Sequence, residues 1–273
     1  EALRDTAVAL PPLNASLSRE LMGRTRVARL LAQHRDIPAA DEAALLAILQ
    51  GVSRMVCALP WLKELDLNPV MAHPGGAVIA DARMVMDLST APAPPRYGHM
   101  AVHPYPSELE GTLTLRDGSS VAVRPIRPED AALEQRFFGA LSEKSRYQRF
   151  LNQMAQLPPQ LLARFTQLDY DRELALVALA PGEGEFIAVG RYAPNADGET
   201  AEFALTVADA WQGRGLGRAL LEQLCICAKR AGYKALDGQI LDANREMRDL
   251  AERLGFQRSG SDGDTVLVTR ALS

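Results

Sequence analysis

The chain has 273 residues, 47% of them hydrophobic and 23% charged, with a net charge of −4. That balance suits a globular protein of one large domain or two modest ones. Acidic and basic residues are interspersed, so no basic field points to nucleic acid, and no apolar run approaches the ~20 residues of a membrane span. The start, EALRDTAVALPPLN, has no initiator Met and lacks the basic-then-apolar layout of a signal peptide, and it reads as a cut inside a longer protein. Three cysteines, Cys57, Cys225 and Cys227, fit a reducing cytoplasm better than a disulfide framework. Cys225 and Cys227 stand two apart in a helical pattern and cannot share a metal well, so no metal is expected.

The first block, residues 1–88, reads as helix, helix, then hairpin. Apolar positions recur at helical spacing over Ser18 to Gln33 and again over Asp41 to Leu59. From Leu62 to Asp87, Pro74-Gly75-Gly76 turns one apolar run into the next. The pieces LPPLN at Leu10 to Asn14, RTRV at Arg24 to Val27, ELDLNPV at Glu64 to Val70 and ADAR at Ala80 to Arg83 resemble the closing end of an ATP-grasp domain in nucleoside-diphosphate-forming acyl-CoA synthetases. The resemblance implies that Asn68 and Asp81 reach the Mg²⁺ of Mg-ATP, and oxygen ligands on facing strands suit that ion. A turn-forming Asn-Pro and a strand-end Asp explain the same residues, and this second reading is favoured. The nucleotide-gripping half of such a domain would lie upstream of Glu1, so ATP and Mg²⁺ are expected only in an uncut parent.

Residues 89–108 form a proline-rich linker, too rich in Pro for a helix or interior strand. His99 and His103 are four apart there, but the prolines argue against a helix aligning them on a metal.

The second block, residues 109–273, is mixed α and β. GTLTLRDGSSVAVRPI reads as a hairpin around Asp117-Gly118. RPEDAALEQRFFGAL follows as a helix with Pro128 in its first turn, and LSEKSRYQRF and LPPQLLARFTQL are shorter helices. ELALVALAP, EFIAVGRYAP and ETAEFALTVAD read as strands, and the last runs into WQGRGLGRALLEQL. A long helix, the strand YKALDGQIL, the helix ANREMRDLAERLGF and the strand DTVLVTRAL complete the block.

The loop Gly213, Gly215, Gly217 has no Gly-Lys-Ser/Thr after it and lacks the spacing of a dinucleotide fold. Glycines let backbone N–H groups converge, and a helix begins at once, with an apolar stripe of Leu220, Leu224, Cys227, Ala228 and Ala231. A buried helix whose unpaired N–H groups face outward makes an anion site, here bracketed by Arg214 and Arg218.

Gln212 to Gly217 matches the Q/R-x-x-G-x-G/A motif of the GNAT acetyltransferases, and Asn244, Met247, Leu250, Leu254, Gly255 and Phe256 follow that family's pattern around its last helix. The resemblance implies an α/β fold, the GNAT fold, with a central, mostly antiparallel sheet flanked by helices, preceded by a partial ATP-grasp subdomain. It implies that acetyl-CoA is the co-substrate. Its pyrophosphate would lie on Gln212, Gly213, Arg214, Gly215, Leu216, Gly217 and Arg218, and its pantetheine arm along Leu205, Thr206 and Val207. Asn244 is either a helix cap or a CoA contact, and both readings stand.

Glu202 alternates with Ala204 and Thr206 in AEFALTV, just before the loop. That strand and LSEKSRYQRF resemble stretches of bacterial protein-lysine acetyltransferases. The likeness implies Glu202 as general base, which a lysine of pKa ~10.4 needs before it can attack a thioester. It also brings Arg146, Tyr147 and Arg149 toward the acceptor. Backbone N–H groups beside Val207 would hold the oxyanion. The last helix carries no Tyr to protonate the leaving thiolate, and Tyr233, ahead of a strand, is not assigned that role. The order of the blocks resembles large bacterial acetyltransferases, which implies a cytoplasmic enzyme whose partner is a protein with an exposed lysine, an acyl-CoA synthetase among the candidates, and neither nucleic acid nor membrane. Acetylation of a small-molecule amine and a non-catalytic acetyl-CoA-sensing module are the alternatives.

Overall fold

Asn14 and Asp41 each open a helix in the computed structural model by accepting a backbone N–H three residues on, from Leu17 at 2.8 Å and Ala44 at 3.0 Å. The structure describes residues 5–31, 38–89, 97–152, 154–182 and 184–272. It divides into two units, Glu1–Pro104 and Tyr105–Ser273.

In the first unit, α1 spans Ala15–Gly23, α2 Ala28–Leu31 and α3 Glu42–Ala58. The single helix expected over Ser18 to Gln33 is therefore interrupted, and its last residues lie outside the described ones. Local side chains explain the break. The Thr25 hydroxyl donates to the Met22 carbonyl at 2.7 Å, and the Asp5 carboxylate accepts the Val27 N–H at 2.8 Å.

Strands β1 (Leu62–Leu67) and β4 (Ala82–Met86) pair antiparallel, as do β2 (Val70–His73) and β3 (Gly76–Ile79) across the Pro-Gly turn. Asn68 and Asp81 face each other where the two ribbons meet, the Asn68 N–H donating to the Asp81 carbonyl at 3.2 Å, and both residues are exposed. His99 and His103 have separate partners: the His99 Nε2 lies 2.9 Å from the Val56 carbonyl, while the His103 ring packs edge-on to Tyr97.

The second unit runs β5 (Gly111–Thr114), β6 (Ser120–Pro125), α4 (Ala131–Ala140), α5 (Glu143–Phe150), α6 (Pro159–Thr166), β7 (Leu174–Leu179), β8 (Phe186–Pro194) and β9 (Thr200–Val207). It closes with α7 (Leu216–Arg230), β10 (Ala235–Leu241), α8 (Arg245–Arg253), β11 (Gln257–Asp262) and β12 (Thr265–Ala271). The last eight strands form one sheet in the order β11-β12-β10-β9-β8-β7-β6-β5. Every pairing in it is antiparallel except β9 with β10, which α7 connects.

Both faces of this sheet are covered. The unbroken apolar run of β7 reflects that: Leu174, Leu176 and Ala178 join the core under α7, while Ala175 and Val177 pack with Phe137 and Leu141 at α4. Four leucines of α7, Leu216, Leu220, Leu221 and Leu224, are fully buried, each worth about 2 kcal/mol of transfer free energy. That anchorage fixes where the helix starts. The buried stripe is wider than expected, since Cys225 joins Cys227 inside, but it is one residue shorter: Ala231 is the C-cap and is exposed. Strand β11 was not foreseen, because QRSGSD lies on the sheet edge, largely exposed, without an apolar face.

Among the described residues, no helix is long and apolar enough to cross a membrane, and no three His, Cys, Asp or Glu residues cluster as a metal site would require.

Candidate active site

Strand β9 pairs with β10 only through Thr200–Ala235, Ala201–Leu236 and Glu202–Asp237. Beyond Glu202, β9 stays paired with β8 as far as Val207, and β10 stays paired with β12 as far as Leu241. The two strands therefore part, and the β10-facing edge of Phe203 to Val207 is left without a ladder. A cavity of roughly 520 Å³ fills the opening, walled by β9, β10, α8 and the glycine loop.

The loop's glycines serve different ends. Gly213 and Gly215 have φ of +73° and +93°, in the left-handed region that a Cβ disfavours. A Cβ on Gly215 would also press on the Cγ of Arg116 at 3.0 Å. Gly217 has ordinary φ but sits against Leu205, Val207 and Leu250, the apolar floor of the cavity. No side chain caps α7, and the N–H groups of Gly213, Arg214, Gly215, Leu216, Gly217 and Arg218 find no acceptor among the described residues. Six consecutive open donors at a helix N-terminus form an anion cradle to which the helix dipole adds.

Of the residues expected to hold the cofactor, Leu205, Thr206, Val207, Gln212, Gly213, Gly215, Gly217, Arg218 and Asn244 line this cavity. Leu216 does not line it, its side chain being buried in the core. Arg214 does not line the cavity; its guanidinium lies 4.7 Å above the ring of Trp211, which does. In its place stands Arg116, from the β5–β6 turn, whose own N–H donates to the Arg214 carbonyl at 3.1 Å. Sequence reasoning missed Arg116, as it missed Gln239 and Arg253 on the opposite wall. Arg218 is held in an i,i+4 pair with Glu222 at 3.0 Å. Asn244 caps α8, its Oδ1 accepting the Met247 N–H at 3.2 Å, and also reaches the cavity wall.

Gln212 and the serines of LSEKSRYQRF form a clasp. The Asp209 carboxylate accepts the Ser142 N–H at 2.9 Å, the Ser142 hydroxyl at 2.7 Å and the Ser145 hydroxyl at 2.8 Å. Gln212 Nε2 donates to the Val207 carbonyl at 3.0 Å. The clasp pins the start of α5 to the end of β9, which sets Arg149 and Phe150 on the cavity wall. Arg146 instead donates to the carbonyls of Met154 and Ala155, and Tyr147 is exposed and lines no cavity described here.

Glu202 lies at the inner end of the opening. It is exposed, and its carboxylate makes no hydrogen bond with the described residues. A second cavity of roughly 330 Å³, walled by α6 and the ends of β7 and β8, shares Arg149, Glu202, Phe203 and Ala204 with the first. A carboxylate at such a junction can take a proton from a group arriving on one side while an electrophile is held on the other. No cysteine reaches either cavity. All three are buried, and burial pushes the Cys227 thiol up to about 11. Tyr233 is likewise remote, its hydroxyl donating to the Arg172 carbonyl at 2.8 Å.

Comparison with known proteins agrees with this geometry. Residues 1–86 match the ATP-grasp domain, and residues 140–256 match the acetyltransferase (GNAT) family. Over 163 residues the chain is 39% identical to acetyltransferase PA5475 of Pseudomonas aeruginosa, covering 58% of this chain and 88% of that protein. It is 31% identical over 221 residues to acetyltransferase Pat of Mycolicibacterium smegmatis, covering 78% of this chain but only 61% of the mycobacterial protein's length. The crystal structure of the GNAT domain of S. lividans PAT superposes with a TM-score of 0.59 at 33% identity, over 62% of this chain and 99% of that one. The parted strands, the open amides of the glycine loop and these likenesses converge: the chain belongs to the GNAT acetyltransferase family and carries an ATP-grasp-like region at its N-terminal end.

Proposed function

We propose that the second unit transfers the acetyl group of acetyl-CoA directly to the ε-amine of a lysine on a protein substrate, with Glu202 as general base. The observation that carries this reading is the position of Glu202 where the two cavities join. The amides of residues 213–218 and the guanidinium of Arg116 would receive the pyrophosphate, and the unpaired edge at Leu205, Thr206 and Val207 the pantetheine arm. Glu202 removes a proton from the acceptor amine as it attacks the thioester carbonyl, and free backbone N–H groups near Val207 meet the charge that develops on oxygen. The thiolate leaves without a protein acid, since a thiol of pKa ~8.5 is a competent leaving group near neutral pH.

In this reading residues 1–88 are the end of an ATP-grasp scaffold, 89–108 a connector and 109–273 the catalytic unit. The resemblance of AEFALTV and LSEKSRYQRF to protein-lysine acetyltransferases supports a protein acceptor, an acyl-CoA synthetase among the candidates, and the three unpaired thiols support a reducing, cytoplasmic setting.

The test is Glu202→Gln, assayed for acetyl-CoA binding by calorimetry and for lysine acetylation by mass spectrometry. Unchanged binding with a loss of about 10²–10³ in kcat supports the assignment. A variant that turns over at the wild-type rate removes Glu202 from the chemistry.

A further inference from the structure

The second cavity is lined by five charged side chains: Arg149, Arg164, Glu173, Arg191 and Glu202. One of them is spoken for. Arg191 reaches Glu134 at 3.4 Å and the Phe165 carbonyl at 3.3 Å, and its guanidinium lies 4.0 Å above the Phe165 ring. The other four make no ion pair and no side-chain hydrogen bond with the described residues. The cavity thus presents open charge of both signs. A lone ammonium entering it would satisfy Glu202 and Glu173 but would meet two unpaired guanidinium groups, which repel it.

Arg149 is the more committed of the two. It is half-buried on α5, with its guanidinium over Phe150 at 4.8 Å and Phe165 at 5.9 Å, and it lines both cavities beside Glu202. Burial, with Arg191 close by, holds its pKa down to about 10, so it is still charged near neutral pH but poorly solvated. Arg164 is exposed on α6 and borders only the second cavity. A planar guanidinium with open donors takes a carboxylate.

We propose that the acceptor lysine is recognised together with an acidic side chain close to it in the target, the amine turned to Glu202 and the carboxylate to Arg164, with Arg149 between them. This rests on the acetyl-transfer reading above and adds the substrate class: lysines with Asp or Glu neighbours rather than lysines in basic runs. The same bipolar chemistry would fit a free amino acid, whose α-carboxylate could stand in for the side chain. The experiment separates the two.

The full chain is given acetyl-CoA and short peptides that carry one central lysine flanked by Glu, by Ala or by Arg, alongside free lysine and free glutamate, and kcat/KM is measured for each. The expected result is about a tenfold preference for the Glu-flanked peptide over the Ala-flanked one, the size of one charge-assisted hydrogen bond. The Arg-flanked peptide should be slowest, and the spread should narrow in high salt. Arg164→Glu should reverse the order while leaving acetyl-CoA affinity as it is, since that residue lies outside the first cavity. Equal rates on the three peptides, or an unchanged order in Arg164→Glu, overturns the acidic-neighbour assignment while leaving lysine acetylation standing. Turnover of free amino acids with none of the peptides assigns the guanidinium groups to a small molecule and overturns the peptide form. Acetyl-CoA binding with no acceptor turned over refutes the catalytic reading and this one with it.

Discussion

The ring of Phe203 occupies the space that a side chain on Gly238 would need, one residue past the point where β9 and β10 stop pairing. Phe203 also packs against Phe256, beyond the end of α8, with the two rings tilted and their centroids 5.0 Å apart, so the ring is held from two sides. The pair acts as a wedge at the apex of the opening. Gly238→Ala forces the ring to move and should destabilise the protein by about 1–3 kcal/mol, as overpacking does. Acetyl-CoA affinity should fall with it. Phe203→Leu in the same chain should recover part of the loss, because the two changes share one space. Urea unfolding of the single and double variants measures it, and simple additivity would contradict the wedge.

Arg116 and Arg214 differ in what they face. Arg116 borders the cavity with its stem over Gly215, whereas Arg214 lies on Trp211. Arg116→Ala is expected to weaken acetyl-CoA by about tenfold, the worth of one charge-assisted contact, with Arg214→Ala within about twofold of the parent. Calorimetric titration of both decides it, and the opposite ranking would return the loop arginine to the site.

Asp209 makes the clasp sensitive to acid. Burial works to raise its pKa, but the hydrogen bonds from Ser142 and Ser145 outweigh it and hold the carboxyl below the ordinary 3.8. A group depressed on folding stabilises fully above its unfolded pKa and loses that contribution as pH falls through the folded one. Asp209→Ala should cost about 1–2 kcal/mol at pH 7, discounted because the residue is largely exposed. The difference from wild type should shrink below pH 4. Unfolding curves across that range check the sign, and a difference that stays constant into strong acid would contradict it.

The cysteines should be inert in the native state. Burial raises all three thiols, Cys227 to about 11. Iodoacetamide near pH 7.5 should label them slowly and leave acetylation intact. Fast labelling of one thiol with loss of turnover would argue for an acyl-cysteine intermediate in place of direct transfer.

What could be read from sequence follows from how each feature is encoded. The glycine loop is legible because two of its positions need φ near +73° and +93°, which only glycine adopts freely, so the geometry leaves a residue-level trace. The Gly255 stop, at φ +83°, is legible for the same reason, and the Asn244 cap because a helix start calls for a side-chain acceptor, here of the Met247 N–H. Arg116 is not: nothing in RDGS marks it as a cavity residue, because its role arises from a hairpin turn meeting a loop about a hundred residues later. The resemblance of LSEKSRYQRF points to Arg146, Tyr147 and Arg149 and is silent on its serines, because the partner of Ser142 and Ser145 is Asp209, 67 and 64 residues ahead. Strand β11 escaped because an exposed edge strand carries no apolar alternation. The break in the first helix escaped because Thr25 and Asp5 compete for backbone groups that periodicity alone assigns to the helix.

Glu202 belongs to two cavities with different walls that meet over only four shared residues. Neither chamber has to empty before the other fills. For the reaction proposed here, that predicts sequential kinetics: initial-rate plots for the two substrates should intersect rather than run parallel, and neither product should have to depart before the second substrate arrives. The parting of two strands thus sets the rate law as well as the binding site.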